Sequence, residues 1–420
     1  MAMIQSLNFA IALIFFLCYA YQFVYVAVPW LVKPKPHKPT KAHRFAVLIS
    51  ARNEAAVIRQ LIDSIHAQTY DASLVTIFVM ADNCTDGTAQ IAREAGAVVY
   101  KRQNRKLIGK GYALNELMQH INADYPDRPF DAFFVFDADN VLDPHYIEAM
   151  NRTFSDGYRI ITSYRNSKNY GTNWISAGYA LWFLRESRYL NHARMLLNTS
   201  CAVSGTGFLF SREVIEETGG WHFFLLTEDI EFTVSSVIHG EKIGFCTDAV
   251  LYDEQPTTFR QSWKQRLRWA KGFLHVFRDY GGGLIEKCLS GSFSAYDMSM
   301  TTMPAMFLSL AGMALNCGTV LIGLLSGNEE MVRMGALLLA ETFCMIYLTT
   351  FLLGLVTTIS EWKQIHTSTA KKLRAMFTFP LFMMTYIPIA FVSLFKKVEW
   401  SPIVHSEAKT VAEICSGKHK

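Results

Sequence analysis

The chain has 420 residues, more than one ordinary core organises, so at least two units are expected. Apolar residues make up 51% and charged residues only 18%, which excludes an ordinary soluble domain and indicates membrane segments. A net charge of +4 without basic stretches interleaved with aromatics excludes a nucleic-acid-binding face, and eight scattered cysteines with no CxxC pair exclude a zinc site and read as free thiols in a reducing compartment.

Residues 1–32 carry no charge, and their core, FAIALIFFLCYAYQFVYVAVPWLV, is 24 residues long. About 20 apolar residues span a bilayer as a helix. The run is too long for a signal peptide, with no positive region before it and no small-residue cleavage site after it. The basic linker KPKPHKPTKAHR (33–44) follows. Positive residues beside a span mark the cytoplasmic side, which predicts an N-terminus outside and the next domain inside, at the cell membrane.

From 45 to 256 the pattern changes. FAVLIS (45–50), LVTIFVMAD (74–82), AVVY (97–100) and AFFVFDAD (132–139) are apolar runs without polar alternation. They alternate with helical stretches, EAAVIRQLIDSIHAQ, TAQIAREAG and GYALNELMQHIN. This predicts an α/β unit on a mostly parallel sheet, whose ligands sit beyond the carboxyl ends of the strands. Asn53 and Glu54, then Asp82, then Asp137 and Asp139 all fall at such ends. Like charges at one rim repel unless a cation joins them, so a hard divalent ion, Mg²⁺ or Mn²⁺, carried with a nucleotide, is expected. A lone D-x-D also serves as a helix cap or a solvated loop. No GxGxxG and no GxxxxGK[ST] is present, which weighs against a dinucleotide dehydrogenase and a P-loop ATPase.

Residues 257–297 form an expected interfacial segment. SWKQRLRWAKGFLHVF mixes aromatic, cationic and apolar residues as a helix lying on a bilayer does. On that reading Trp269 is an interfacial anchor, and Lys264 and Arg266 are surface charges. The C-terminal membrane region, 298–397, contains two clear spans, within 298–328 and 334–360, joined by the outer loop SGNEEMVR. A third run, 375–395, is interrupted by Pro380 and Pro388 and either crosses or re-enters. Glu341 is an acid inside a span, a functional candidate unless it lies near the outer interface. Residues 398–420 read as a tail.

The ordered set ARNE (51–54), ADNCTDGT (81–88), GKGYALN (109–115), DAD (137–139), GTGF (205–208), LTED (226–229) and QRLRW (265–269) resembles the membrane-embedded family 2 glycosyltransferases. These are the cellulose, hyaluronan, chitin and poly-N-acetylglucosamine synthases. The resemblance covers roughly residues 45–280 and the flanking helices. It implies a Rossmann-like GT-A domain in the cytoplasm carrying transmembrane and interfacial helices, a UDP-sugar donor, Mg²⁺ or Mn²⁺, and inversion at the anomeric carbon. Residue by residue it assigns Asn53, Glu54 and Asp82 to the uridine, Lys110, Asp137 and Arg268 to the donor diphosphate, and Asp139 to the metal. Asp229 becomes the catalytic base, and Glu228, Gln265 and Trp269 line the acceptor. The chemistry agrees with these types, because a sugar hydroxyl needs a positioned carboxylate to take its proton. A helix start at 228–239 would keep Asp229 ionised.

Two functions compete. One is a processive synthase that extends a β-linked glycan, glucose favoured, and exports it. The other adds one sugar to a lipid-linked acceptor. The short chain lacks an F-x-V-T-x-K loop, and so few spans would need interfacial helices or a second subunit to line a channel. A transporter or scaffold with a dead transferase domain is a third reading, against which the complete acid set stands.

Overall fold

The computed structural model describes residues 2–127 and 129–416, so the end of the expected tail, 417–420, lies outside the described residues. Eight strands form one sheet: β1 Phe45–Ala51, β2 Val75–Asp82, β3 Val98–Arg102, β4 Ala132–Asp137, β5 Val141–Leu142, β6 Ile160–Ser167, β7 Phe208–Ser211 and β8 Ile243–Asp253, in the order β3-β2-β1-β4-β7-β6-β8-β5. The first four strands run parallel, as read from the sequence. β7 then enters antiparallel between β4 and β6, so the sheet is mixed.

Alternation along β1 shows why its sequence is apolar throughout. Ala46 and Leu48 join a core on one face of the sheet, while Phe45, Val47 and Ile49 join a second core on the other. A strand covered on both sides has no face to give to polar residues.

The helices are α1 Ala2–Tyr19, α2 Tyr21–Leu31, α3 Ile58–His66, α4 Thr88–Glu94, α5 Lys110–Asp124, α6 Tyr146–Ser155, α7 Trp174–Arg185, α8 His192–Leu196, α9 Arg212–Glu217, α10 Glu228–Ile238, α11 Phe259–Leu289, α12 Phe293–Thr302, α13 Pro304–Ser326, α14 Glu329–Ser360, α15 Thr369–Met384, α16 Tyr386–Phe395 and α17 Val411–Cys415. A π-helical turn, Glu186–Asn191, joins α7 to α8.

Among the described residues, four helical stretches are long and apolar enough to cross a bilayer: Ala2–Leu31, Pro304–Ser326, Glu329–Ser360 and Thr369–Phe395. The first late span begins at Pro304 rather than near 298, because residues 293–302 fold as the separate helix α12. There Asp297 is fully buried, accepting from Arg194 Nε at 2.7 Å and from the Tyr21 and Tyr25 hydroxyls at 2.7 Å each. That network fastens α2 to the α/β unit. The connection between α13 and α14, expected as an outer loop, shrinks to Gly327 and Asn328. Gly327 takes a left-handed φ of 66°, the Asn328 side chain caps α14, and Glu329 and Glu330 occupy its first turn, where the helix dipole favours acids. Glu341 lies exposed on α14.

The Pro-containing third run is wedged between the spans and the α/β unit. An added Cβ on Gly178 of α7 would come within 2.4 Å of the Phe382 ring, and Ile389 of α16 packs with Leu267 and Ala270 of α11. The run bends at Thr385, between α15 and α16.

Candidate active site

Parallel register fixes where the candidate acids lie. Ala51 pairs with Ala81, and Ser50 with Asp137, so β1, β2 and β4 end at one rim. Asn53 and Asn83 turn the chain there with φ of 58° and 52°, a conformation Asn tolerates better than most residues. The Asn53 Oδ1 accepts from Thr85 N at 2.8 Å, and Glu54 N donates to Thr88 Oγ1 at 2.8 Å. The ARNE and ADNCTDGT loops are thus laced together.

Asp82 is buried and held by Arg102, whose NH1 donates to its Oδ1 at 2.7 Å. Burial pushes its carboxyl pKa up, while Arg102 pulls it down. At that rim Asp82 is answered by a protein cation, which the expectation of a bound ion did not include. The charges acting on Asp82 are Arg102, Arg52 and Glu116, and its own cation comes from β3. Nothing local in the sequence marks Arg102 as that partner.

The other candidates converge. Gly109, at φ 144°, opens α5 and places Lys110 at its first position. Lys110 Nζ donates to Asp137 Oδ1 at 2.5 Å and to the Gly205 carbonyl at 2.7 Å. The GTGF turn closes against D-x-D, because the Asp137 N–H donates to Thr206 Oγ1 at 2.9 Å. A Cβ on Gly205 would lie 3.9 Å from Asp229 Oδ2 and 3.6 Å from Arg165 NH1. Asp137, Lys110, Gly205 and Asp229 therefore form one continuous group.

Asp229 is the second residue of α10, after Glu228. The helix start was expected to keep Asp229 ionised. Burial outweighs the Ile230 N–H, Lys110 and Arg268, and its pKa is raised. For Glu228, burial and then the adjacent Asp229 push the pKa up from 4.5 to about 7. Two neighbouring carboxyls of this kind titrate as a pair.

Asp139 is buried, and its Oδ2 accepts the Glu254 N–H at 2.7 Å. Burial raises its pKa, but His405, Lys168 and Arg165 together hold it below the usual carboxylate range. His405 arrives from the C-terminal segment. Its Nδ1 lies 3.0 Å from both Glu54 oxygens. Burial works against the imidazolium, yet Asp139, Glu54 and Glu254 bring its pKa up to about 10. Arg165 of β6 pairs with Asp253, donates to the Ser204 carbonyl at 3.0 Å and lies 3.6 Å over the Phe183 ring. Glu186 opens the π-helical turn, near Arg165 and Asp229 in charge. His405, Glu254, Arg165 and Glu186 escaped the sequence reading. Only the π-turn belongs to a recurrent functional irregularity, and it has no sequence signature.

In QRLRW, Arg268 NH1 donates to the carbonyl of Leu226, the first residue of LTED, at 2.6 Å. Trp269 is half-buried and meets Tyr179 and Phe183 edge-on, at 5.7 and 6.2 Å between ring centroids. The Gln265 Oε1 is buried without a hydrogen-bond partner. Lys264 is exposed, as read from the sequence. Arg266 is not a surface charge. It is fully buried, donates to the Phe382 carbonyl at 3.1 Å and to Thr385 Oγ1 at 2.6 Å, and sits 4.3 Å over the Phe382 ring. The Phe382 carbonyl also accepts from the Thr385 hydroxyl at 2.6 Å, and the faces of Tyr179, Phe382 and Tyr386 receive the cation.

Among the described residues, no three His, Cys, Asp or Glu side chains stand close enough to cage a metal. Glu54 feels the charges of both Asp139 and Asp137, and all three carboxylates offer hard oxygen donors. Asp139 Oδ1 has only a 3.4 Å contact, from Asn140. That fits an ion such as Mg²⁺ or Mn²⁺, which takes one or two carboxylates and fills its shell with phosphate oxygens.

A mixed sheet whose parallel half ends in a D-x-D loop, with an acidic helix start facing it, defines the GT-A class of folds. The mannosyltransferase PcManGT from Pyrobaculum calidifontis, solved in complex with GDP-Man and Mn²⁺, shares this fold, with a TM-score of 0.54 over 93% of this chain and 99% of its own, at 16% identity. The family model described as "Glycosyltransferase like family 2" matches residues 43–272, more than half of the chain, and the protein belongs to that family. Its relatives include a probable glycosyltransferase, YdaM, of Bacillus subtilis, 27% identical over 56% of this chain and 56% of the relative. A beta-monoglucosyldiacylglycerol synthase of Synechocystis is 24% identical over 56% of this chain and 48% of its own. A poly-beta-1,6-N-acetyl-D-glucosamine synthase of Staphylococcus aureus is 24% identical over 56% and 55%. The matches thus span about half the length of these curated relatives.

Proposed function

We propose that the protein transfers a sugar, glucose favoured, from a UDP-sugar to an acceptor at the membrane surface, with inversion and with Mg²⁺ or Mn²⁺. One observation carries this reading. The Lys110 ammonium bridges the D-x-D loop and the Gly205 carbonyl, and the Asp229 carboxylate lies at that same glycine. An acid that can take a proton therefore stands beside a cation that can meet a diphosphate.

In this mechanism Asn53, Glu54 and Asp82 frame the uridine, and Asp137 and Asp139 receive the donor's diphosphate side. A divalent ion, when bound, would offset the charge of the leaving diphosphate. Lys110 and Arg268 are placed to hold that charge where it develops. Asp229 takes the proton from the attacking acceptor hydroxyl, and Glu228 keeps a second carboxyl beside it. Trp269 offers an aromatic face to the acceptor sugar, with Gln265 as a polar contact.

Two acceptors fit. Q-x-x-R-W supports a growing β-linked glycan. A single transfer to a lipid is favoured by the third membrane run, which is packed against α7 and α11 and so is committed to the α/β unit rather than free to line a channel. The diacylglycerol-glucosylating relative points the same way. Purified protein incubated with UDP-glucose or UDP-N-acetylglucosamine and either diacylglycerol vesicles or an oligosaccharide distinguishes them. A ladder of products supports the glycan, and one organic-soluble product supports the lipid. No UDP release with either donor, with Mg²⁺ or Mn²⁺ present, refutes the transferase reading.

A further inference from the structure

The segment after α16 is no free tail, because it crosses the candidate donor site. Trp400 lies 5.2 Å under the Arg52 guanidinium, beside the ARNE loop. The Val404 carbonyl accepts from Gln261 Nε2 at 3.1 Å. His405 pairs with Glu54, and Lys168 Nζ reaches the Glu407 carbonyl at 3.3 Å. Further on, Ile414 is buried against Val141 and Tyr252. The main-chain N–H groups at the centre of this strap are held by Glu254. The Glu254 carboxylate accepts the Ser406 N–H at 2.9 Å and the Glu407 N–H at 2.8 Å, while the Glu254 N–H donates to Asp139 Oδ2 at 2.7 Å. Main chain and side chain of one residue thus fasten the candidate metal aspartate and the strap to the same point.

We propose that residues 398–415 are a working wall of the donor site, and that Glu254 is a positioning residue whose carboxylate clasps this wall against Glu54 and Asp139. The proposal rests on the transferase reading above. It assigns the strap to nucleotide-sugar binding and not to obstruction. Two main-chain hydrogen bonds to an ionised carboxylate are strong enough to hold an extended segment in place, and a segment with so little secondary structure of its own depends on them.

The test uses the full chain in detergent. Glu254→Ala removes the clasp but keeps the backbone N–H on Asp139. Glu254→Gln keeps one acceptor oxygen, and Ile414→Asp unseats the far end of the strap. Hydrogen exchange at the Ser406 and Glu407 amides reads the clasp directly. UDP release from UDP-glucose reads the donor site. In Glu254→Ala we expect both amides to exchange faster and the donor KM to rise about tenfold or more, with kcat changed far less. Glu254→Gln falls between, and Ile414→Asp raises the donor KM in the same direction. Amides that stay protected in Glu254→Ala overturn the clasp. Amides released with an unmoved donor KM overturn the wall, and a lowered KM marks the strap as an obstruction and overturns it too. Wild-type protein that releases no UDP fails the transferase reading first, and this proposal with it.

Discussion

Asp229 and Glu228 sit side by side at the start of α10, Glu228 buried and Asp229 half-buried, and the charge of Asp229 raises the Glu228 pKa. Asp229→Asn should bind UDP as wild type does, by calorimetry, and lose about 10²- to 10⁴-fold in turnover, the usual contribution of a general base. The pair also sets a pH dependence. With burial and Asp229 pushing Glu228 up to about 7, the folded, ligand-free protein binds a proton more tightly than the unfolded chain does. Its stabilising share is therefore full below 4.5 and is lost as pH rises through about 7. Activity should fall on the acid side as the pair takes up its proton. Glu228→Gln removes the like charge, so the acid limb of the pH–rate profile should move down by about one unit. Arg102→Met leaves the Asp82 carboxylate buried without its counter-charge and should cost about 3–5 kcal/mol in denaturant unfolding. Adding Asp82→Asn should recover part of that loss. Asp82, Asp137 and Asp139 were legible because acids at the ends of apolar runs stand out. Arg102 and His405 were not, because a counter-charge is chosen by proximity in space, and 351 residues separate His405 from Glu54.

Secondary structure was legible where a local rule governs it. Apolar residues dominate the first four strands, and the helices between them end at recognisable stops such as Gly96. The later strands were missed. β7 is four residues long, and β6 runs IITSYRNS, whose polar end is buried among hydrogen-bonding partners and not covered by apolar side chains. The closest packing between elements is also a tertiary matter. Gly178→Val should drive α15 off α7, since even a Cβ there would fall 2.4 Å from the Phe382 ring. We expect a loss of about 1–3 kcal/mol or more in thermal unfolding in detergent, as overpacking costs. Trp269, framed by Tyr179 and Phe183, stands beside the same contact.

Four stretches long and apolar enough to cross a membrane accompany one α/β unit that belongs to glycosyltransferase family 2. The orientation expected from the basic linker is tested at the turn between α13 and α14. Asn328→Cys, in a background with Cys317 and Cys344 replaced by Ser, should react with an impermeant thiol reagent from outside intact cells, while a cysteine at exposed Lys264 should not. The reverse pattern would invert the topology. The existence of long apolar stretches, the α/β character of the middle and the acids at strand ends could all be read from the linear chain, because hydrophobic length, strand and helix periods and the polarity of strand ends are properties of neighbouring residues. Which cation answers which acid, the burial of Arg266, the wedging of the third run and the return of the C-terminal segment over Glu54 and Asp139 were decided by folding alone. Burial and charge compensation act between groups that come within a few ångströms only once the chain has closed on itself.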